Sequence, residues 1–163
     1  MSKVEYPDFA GLFRAKPRAV ARVKGSNAYP DIEGEVWLYQ TNYGVLVVTD
    51  VMGLPKTQNN QNSPIFAFHI HEGGSCSGNV EDPFANARTH YNPNETLHPY
   101  HAGDLPPLFG VNGYAFMAVL SDRFKVEDVI GKTIIIHSSP DDFVSQPAGN
   151  SGIKIACGVI EKL

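Results

Sequence analysis

The chain has 163 residues, of which 42% are hydrophobic and 18% charged, a composition typical of one globular domain. Its net charge of −4 and its pI near 5.8 argue against binding to nucleic acid. No apolar run is long enough to cross a membrane, and the N-terminus lacks the apolar stretch of a signal peptide, so we expect a cytoplasmic protein without a membrane partner.

Residues 1–17 precede the first predicted strand and form an N-terminal extension. An apolar cluster in this extension, Phe9, Leu12 and Phe13, favours packing against the rest of the chain. The 15 glycines and 12 prolines are scattered along the chain, as in folds with many turns between short strands. We therefore expect one all-β domain over residues 18–163.

Apolar and polar residues alternate in four segments of the first half, which predicts four strands: residues 18–25, 32–41, 45–51 and 66–72. Residues 42–44 have the composition of a hairpin turn. In the second strand Trp37 and Tyr39 share the face opposite the apolar one. These two aromatic side chains could form a homodimer interface or be covered by the N-terminal cluster, and the sequence leaves both open.

Between residues 72 and 105 the periodic pattern disappears. A loop of this length inside a compact domain is usually functional or held by a metal. A second long loop covers residues 138–152. Strand-like patterns return in three segments, residues 114–121, 132–137 and 154–161. About eight strands separated by turns predict a sandwich or a flattened barrel.

Two histidines lie two residues apart near the end of the fourth predicted strand. The side chains of His69 and His71 therefore point to one side, while Phe66, Phe68 and Ile70 point to the other. The apolar set can line a core, which places both imidazoles on its outer wall. Two imidazoles at a fixed spacing on a stiff element suit copper or zinc.

The other four histidines strengthen the metal hypothesis. The first long loop contains three histidines and an aspartate that make a complete tetrahedral zinc set: His90, His98, His101 and Asp104. His137 ends a later strand, and with the strand pair it offers three nitrogens to one region, which suits copper. Six unrelated histidines are the alternative, but their grouping into ligand-spaced clusters favours metal sites.

The two cysteines leave two states open. A bridge between Cys76 and Cys157 would close a loop of about eighty residues and stabilise the fold by roughly 4.5 kcal/mol. Two reduced thiols are the ordinary state in a reducing cytoplasm, and composition alone favours them.

Five motifs resemble, in order, the signatures of copper/zinc superoxide dismutases: FHIHE at 68–72, HYNP at 90–93, HAGDL at 101–105, IGKTIIIH at 130–137 and GNSGIKIACGVI at 149–160. The resemblance begins near residue 18 and continues to the C-terminus, with the short loops of the bacterial type. It implies an eight-stranded Greek-key β-barrel or sandwich whose two long loops cover a metal site.

The resemblance also implies one copper and one zinc ion per chain. The implied copper ligands are His69, His71, His90 and His137. The implied zinc ligands are His90, His98, His101 and Asp104, so the imidazolate of His90 would bridge the two ions. Asp141 matches a carboxylate that links ligand histidines of the two metals, and Cys76 and Cys157 match the family's disulfide. This last match reverses the preference for free thiols.

The implied enzyme dismutes superoxide to O2 and H2O2 by alternate reduction and reoxidation of copper. Zinc would be structural, and His90 would store a proton during the cycle. A non-catalytic copper/zinc-binding module on the same fold is the alternative function. A structural zinc domain without copper is a third reading, and it predicts one metal per chain.

The sequence departs from the family pattern around the expected copper site. Lys154 replaces an arginine, which keeps the charge but loses the planar fork that anchors an anion. Ala148 replaces a threonine, so we expect a wider entrance. The second loop contains only two charges, Asp141 and Asp142, so attraction of superoxide should depend on the metals and Lys154. His98 and His101 are only three residues apart, which could change the zinc affinity.

Overall fold

Eight antiparallel strands form the fold in the computed structural model, which describes residues 15–57 and 64–163. The strands, in chain order, are β1 Ala19–Gly25, β2 Glu33–Thr41, β3 Gly44–Met52, β4 Ile65–His71, β5 Asp104–Phe109, β6 Ala115–Ser121, β7 Thr133–His137 and β8 Lys154–Lys162. Among the described residues, helix is limited to a 3-10 turn at Ala85–Ala87 and to α1 at Val126–Val129. The predicted cluster of Phe9, Leu12 and Phe13 lies outside these residues.

The strands make one sheet in the order β5-β4-β7-β8-β1-β2-β3-β6, with antiparallel neighbours throughout. Because β4 pairs with β7 and β3 pairs with β6, the connections cross between distant strands, as in a Greek key. The end strands β5 and β6 contact each other, so the sheet nearly closes. The predicted all-β barrel is therefore confirmed.

The core lies inside this barrel and uses the faces that alternation predicted. Phe66, Phe68 and Ile70 of β4 are 0–1% exposed and belong to the main apolar cluster. Val36 and Leu38 of β2 join the same cluster from the opposite wall. Side chains of β4 that point away from the core are therefore free to build a site on the outer surface.

Strand β5 was not predicted. Its sequence, DLPPLF, contains two prolines, which cannot donate ladder hydrogen bonds and argue against a central strand. The structure places β5 at the end of the sheet, where it pairs with β4 alone. α1 lies in the segment predicted as a connection, and its Val126 and Val129 are buried in the core. No helix in the described residues is long and apolar enough to span a membrane.

The first long loop is attached to the end of β4 by backbone hydrogen bonds. The N–H of Glu72 donates to the carbonyl of Thr89, and the N–H of Tyr91 donates to the carbonyl of Ile70. Gly103 lies so close to β4 that a Cβ atom there would clash with the Ile70 carbonyl oxygen, so a larger residue would push the loop away. These contacts place His90 beside β4.

Candidate metal centre

All six histidines come together at one end of β4 and β7. They are buried, with exposed fractions between 0 and 6%. Two sets of four donor atoms form there, and within each set the atoms lie within 4.8 Å of one another. The four-histidine group consists of His69, His71, His90 and His137. The mixed group consists of His90, His98, His101 and Asp104.

In the four-histidine group the protein holds one nitrogen of each strand histidine and leaves the other free. Nδ1 of His71 donates to the Arg88 carbonyl at 2.8 Å, and Nδ1 of His137 donates to the Gly152 carbonyl at 3.4 Å. Nε2 of His69 donates to the carboxylate of Asp141. The remaining nitrogens of these neutral rings therefore present lone pairs to the centre of the group.

In the mixed group the ring nitrogens surround the carboxylate of Asp104. Nδ1 of His90 lies 2.7 Å from Oδ1, and the Nδ1 atoms of His98 and His101 lie 3.0 and 3.2 Å from Oδ2. The backbone N–H of His101 also donates to Oδ2. Three nitrogens and one carboxylate oxygen are a donor set of the kind that zinc prefers.

Asp141 connects the two groups by accepting a hydrogen bond from one ring of each. Its Oδ2 accepts a hydrogen bond from Nε2 of His69, and its Oδ1 accepts one from Nε2 of His98, both at 2.8 Å. The second long loop thereby orients one ring in each group. This is the position that the resemblance implied for Asp141.

The donor atoms fit cations because several lone pairs have no protein partner. Nδ1 of His69, Nε2 of His90 and Nδ1 of His98 are buried without a hydrogen-bond partner among the described residues. Nδ1 of His98 lies near Oδ2 of Asp104 but cannot donate to it, because the ring donates to Asp141 from Nε2. Nε2 of His71 faces Nε2 of His137 at 3.2 Å, although both rings carry their proton on Nδ1. Unpaired buried polar atoms each cost about 1–3 kcal/mol, and bound metal ions would remove that cost.

Burial keeps the rings of His71 and His137 neutral. It lowers the pKa of His71 well below its usual range, with His137 and His90 adding to the effect. Burial likewise lowers the pKa of His137 to about 3, assisted by His69 and His90. Burial opposes ionisation of Asp104, but its hydrogen bond with His90 and the nearby rings lower its pKa overall. At neutral pH the site thus offers His71 and His137 as neutral imidazoles and Asp104 as a carboxylate.

We expect the metal-free protein to lose stability as the pH falls from 6.5 to about 4. His137 has a pKa near 3 in the fold and 6.5 as its ordinary value, so the unfolded chain binds more protons in this window. Each histidine with a pKa lowered in this way reduces the free energy of unfolding by up to about 1.4 kcal/mol for each pH unit of acidification. Asp104 and Asp141 also have lowered pKa values, and they reduce the stability only when the pH falls below their ordinary pKa of 3.8.

Urea unfolding of protein stripped of metal, at several pH values between about 7 and 4.5, measures this slope. The His137→Gln variant should show a shallower slope, because one buried titrating ring is missing. An equal slope in the variant and the parent would contradict the role assigned to burial.

A cavity of about 1180 Å³ opens onto the four-histidine group. His71, His90 and His137 line its floor, and Ala148 and Lys154 also line it, as expected for residues at the entrance. Its size exceeds what a diatomic anion needs. The wider entrance stays a prediction.

Lys154, which the resemblance places at the copper site as the cation that attracts superoxide, forms an ion pair. Its Nζ lies 2.6 Å from Oδ2 of Asp82 and donates to the Phe84 carbonyl at 3.2 Å. Asp82 is 72 residues away in the chain, so pattern reasoning could not pair the two. The charge of Lys154 is partly neutralised as a result.

Cys76 and Cys157 form a disulfide, with Cα atoms 5.6 Å apart and a sequence separation of 81 residues. This confirms the pairing that the resemblance implied. Phe84, Ala87 and Ile135 pack around the bridge in a second apolar cluster. The bridge and this cluster fasten the first long loop to the outside of the barrel.

Sequence reasoning missed two residues that fix the loops. Asp82 holds Lys154, and the guanidinium of Arg123 donates to the carbonyls of Pro99, His101 and Asp104 in the mixed group's loop. Arg88, whose carbonyl orients His71, was missed as well. It had a usable signal, because it is the only lysine or arginine between residues 72 and 104.

Comparison with known proteins matches most of the chain to a single family. Residues 32–160 match the copper/zinc superoxide dismutase family (SODC). Cu-Zn superoxide dismutase 2 of Aquifex aeolicus (strain VF5) is 35% identical over 149 residues, covering 82% of this chain and 82% of the relative. Cu-Zn superoxide dismutase of Legionella pneumophila is 35% identical over 136 residues, covering 78% and 77%.

A solved structure has the same architecture. The Cu/Zn superoxide dismutase from Brucella abortus superposes with a TM-score of 0.74 at 26% identity, covering 88% of this chain and 99% of that one. Fold, paired donor groups and sequence agree: the chain belongs to the copper/zinc superoxide dismutase family.

Proposed function

We propose that the chain dismutes superoxide to O2 and H2O2, with copper held by the four-histidine group and zinc held by the mixed group. Family membership supports the activity and the two cofactors. The four nitrogens of the first group suit copper, whereas the three nitrogens and one carboxylate of the second suit zinc.

The observation that carries this proposal is the position of His90. Its ring belongs to both groups: Nδ1 lies beside Asp104, and Nε2 faces the strand histidines without a hydrogen-bond partner in the described part of the chain. A ring shared by two cations can lose its proton, because two adjacent positive charges depress the pKa of the ring N–H. A simple metal store has no need for such a shared ring.

Bound copper supplies the one-electron chemistry that oxidises one superoxide and reduces the next. The protein supplies positions and protons. Nε2 of His90 has no hydrogen-bond partner within residues 15–57 and 64–163, so it can take up a proton beside the cavity. The hydrogen bonds from His71 to Arg88 and from His137 to Gly152 fix the other rings while that proton moves.

Metal content and the dismutation rate, measured on one preparation, test the proposal. We expect one copper and one zinc per chain, together with rapid loss of superoxide. Two metals without dismutation would favour the non-catalytic binding module, and zinc alone would favour the structural zinc domain.

Asp141 supports both groups, so its replacement should weaken both. The carboxylate of Asp141 accepts a hydrogen bond from each of His69 and His98, whereas the amide of Asp141→Asn has one acceptor oxygen for the two rings. We expect a loss of about 10- to 100-fold in metal affinity. Competition with a chelator of known affinity measures the loss for each metal.

Asp142→Asn is the matched control. Asp142 is the exposed neighbour of Asp141, and among the described residues its carboxylate accepts hydrogen bonds only from Val144 and Ser145 of its own turn. Equal effects of the two substitutions would contradict the linking role of Asp141.

A homodimer through the outer face of β2 is part of this proposal. Trp37 and Tyr39 lie half-buried on that face and supply apolar area for it. Sedimentation analysis at several protein concentrations measures the oligomeric state. The cytoplasmic location stays a prediction, which cell fractionation would test.

A further inference from the structure

Two residues with cationic side chains line the cavity over the four-histidine group, and they differ in whether a carboxylate lies beside the cation. The two residues are Lys154 and Arg88. Lys154 forms an ion pair with Asp82 at 2.6 Å, and its side chain is 15% exposed. A cation paired this closely in a sheltered position attracts a third ion weakly, because the field of the carboxylate opposes its own.

Arg88 has no such partner. Within residues 15–57 and 64–163, no hydrogen bond or ion pair joins its guanidinium to another side chain, although its backbone carbonyl holds His71. Glu81 lines the same cavity and is exposed, and it forms no ion pair with Arg88. Of the two lining cations, Arg88 is therefore the one without an ion-pair partner in the described part of the chain.

The backbone of Arg88 gives independent support. Its φ of 62° and ψ of −146° fall in a region that is almost restricted to glycine. A side chain there strains the backbone, and such strain is concentrated at functional sites. Glycine would satisfy the turn with less strain, so a role for the guanidinium explains why arginine is found there.

We propose that Arg88 is the residue that guides superoxide into the cavity, and that Asp82 restrains Lys154 so that the lysine contributes little to this attraction. The inference rests on the proposed dismutase function. The chain as a whole carries a net charge of −4 and repels anions, so a local unpaired cation at the entrance has a large influence on encounter rates.

The first test compares second-order rate constants with superoxide for the copper- and zinc-loaded proteins. At low ionic strength Arg88→Gln should be about two- to fivefold slower than the parent, and its rate should depend less on salt. Arg88→Lys should recover most of the rate. Asp82→Asn should be faster than the parent, because it frees the charge of Lys154.

Lys162→Gln is the matched control. It removes the same unit of charge from an exposed residue of β8, at the end roughly 26 Å from Lys154 along the strand. Its rate should stay close to that of the parent. Equal losses in Lys162→Gln and Arg88→Gln would reduce the effect to overall charge and overturn the proposal.

Two further readouts do not use turnover. Optical titration with azide should give a weaker affinity for Arg88→Gln than for Lys162→Gln, which isolates anion attraction. Arg88→Gly should melt at or above the temperature of the parent, since the strain is relieved, while losing anion affinity.

The outcomes separate this inference from the proposed function. If the parent dismutes superoxide and Arg88→Gln matches it in rate, salt dependence and azide affinity, only the inference fails. If the parent does not dismute superoxide, the proposed function fails, and the azide series alone decides the role of Arg88: an unchanged azide affinity overturns it.

Discussion

Replacing His137 by alanine is expected to lower the dismutation rate by more than about 100-fold while leaving zinc bound. His137 belongs to the four-histidine group alone, and its free Nε2 faces that of His71 at 3.2 Å. The variant therefore loses one copper donor, whereas every donor of the mixed group is intact. Elemental analysis should give zinc near the parental value and copper well below it.

His101→Ala provides the matched comparison. It removes the same side chain at similar burial, with 6% of His101 and 4% of His137 exposed, but from the mixed group alone. We expect the opposite pattern, with zinc lost and copper retained. If both variants lost the same metal, the assignment of the two groups would be wrong.

Loss of the disulfide should have the largest effect on stability. The bridge spans 81 residues, and removing it should lower the free energy of unfolding by about 4.5 kcal/mol in the chain-entropy treatment. The bridge also fastens the loop that contains Asp82 and Arg88, so metal binding should weaken in parallel. Urea unfolding of Cys76→Ser with the metals bound measures the first effect.

Two controls separate the bridge from local packing. Cys157→Ser removes the same bridge by changing its buried cysteine, which is 2% exposed. Any additional loss of unfolding free energy relative to Cys76→Ser measures the packing of that side chain. Reduction of the parent protein breaks the bridge without changing a side chain. A loss below about 1 kcal/mol in all three experiments would contradict the predicted contribution.

Much of the fold followed from local patterns. Alternation identified the inward faces of β1, β2 and β4, because side-chain direction in a strand depends only on position along that strand. β5 was missed since its two prolines contradict a strand unless the strand lies at a sheet end. That location depends on the whole barrel.

The candidate site was predicted in two steps of different strength. Residue types and spacing alone indicated a zinc set in the first long loop and a copper-suited trio. The shared ring of His90, the link through Asp141 and the disulfide came from the resemblance to the family. The structure places Asp141 between His69 and His98, and it pairs Cys76 with Cys157.

The strand faces and the chemical types of the metal donors could be predicted from the amino-acid sequence, because both depend on residue identity and short spacing. Which cation at the cavity is unpaired depends on the folded structure. Lys154 meets Asp82, and Arg88 meets no carboxylate in the described residues. Ion pairing depends on distances between side chains, and folding brings together residues that are far apart in the chain.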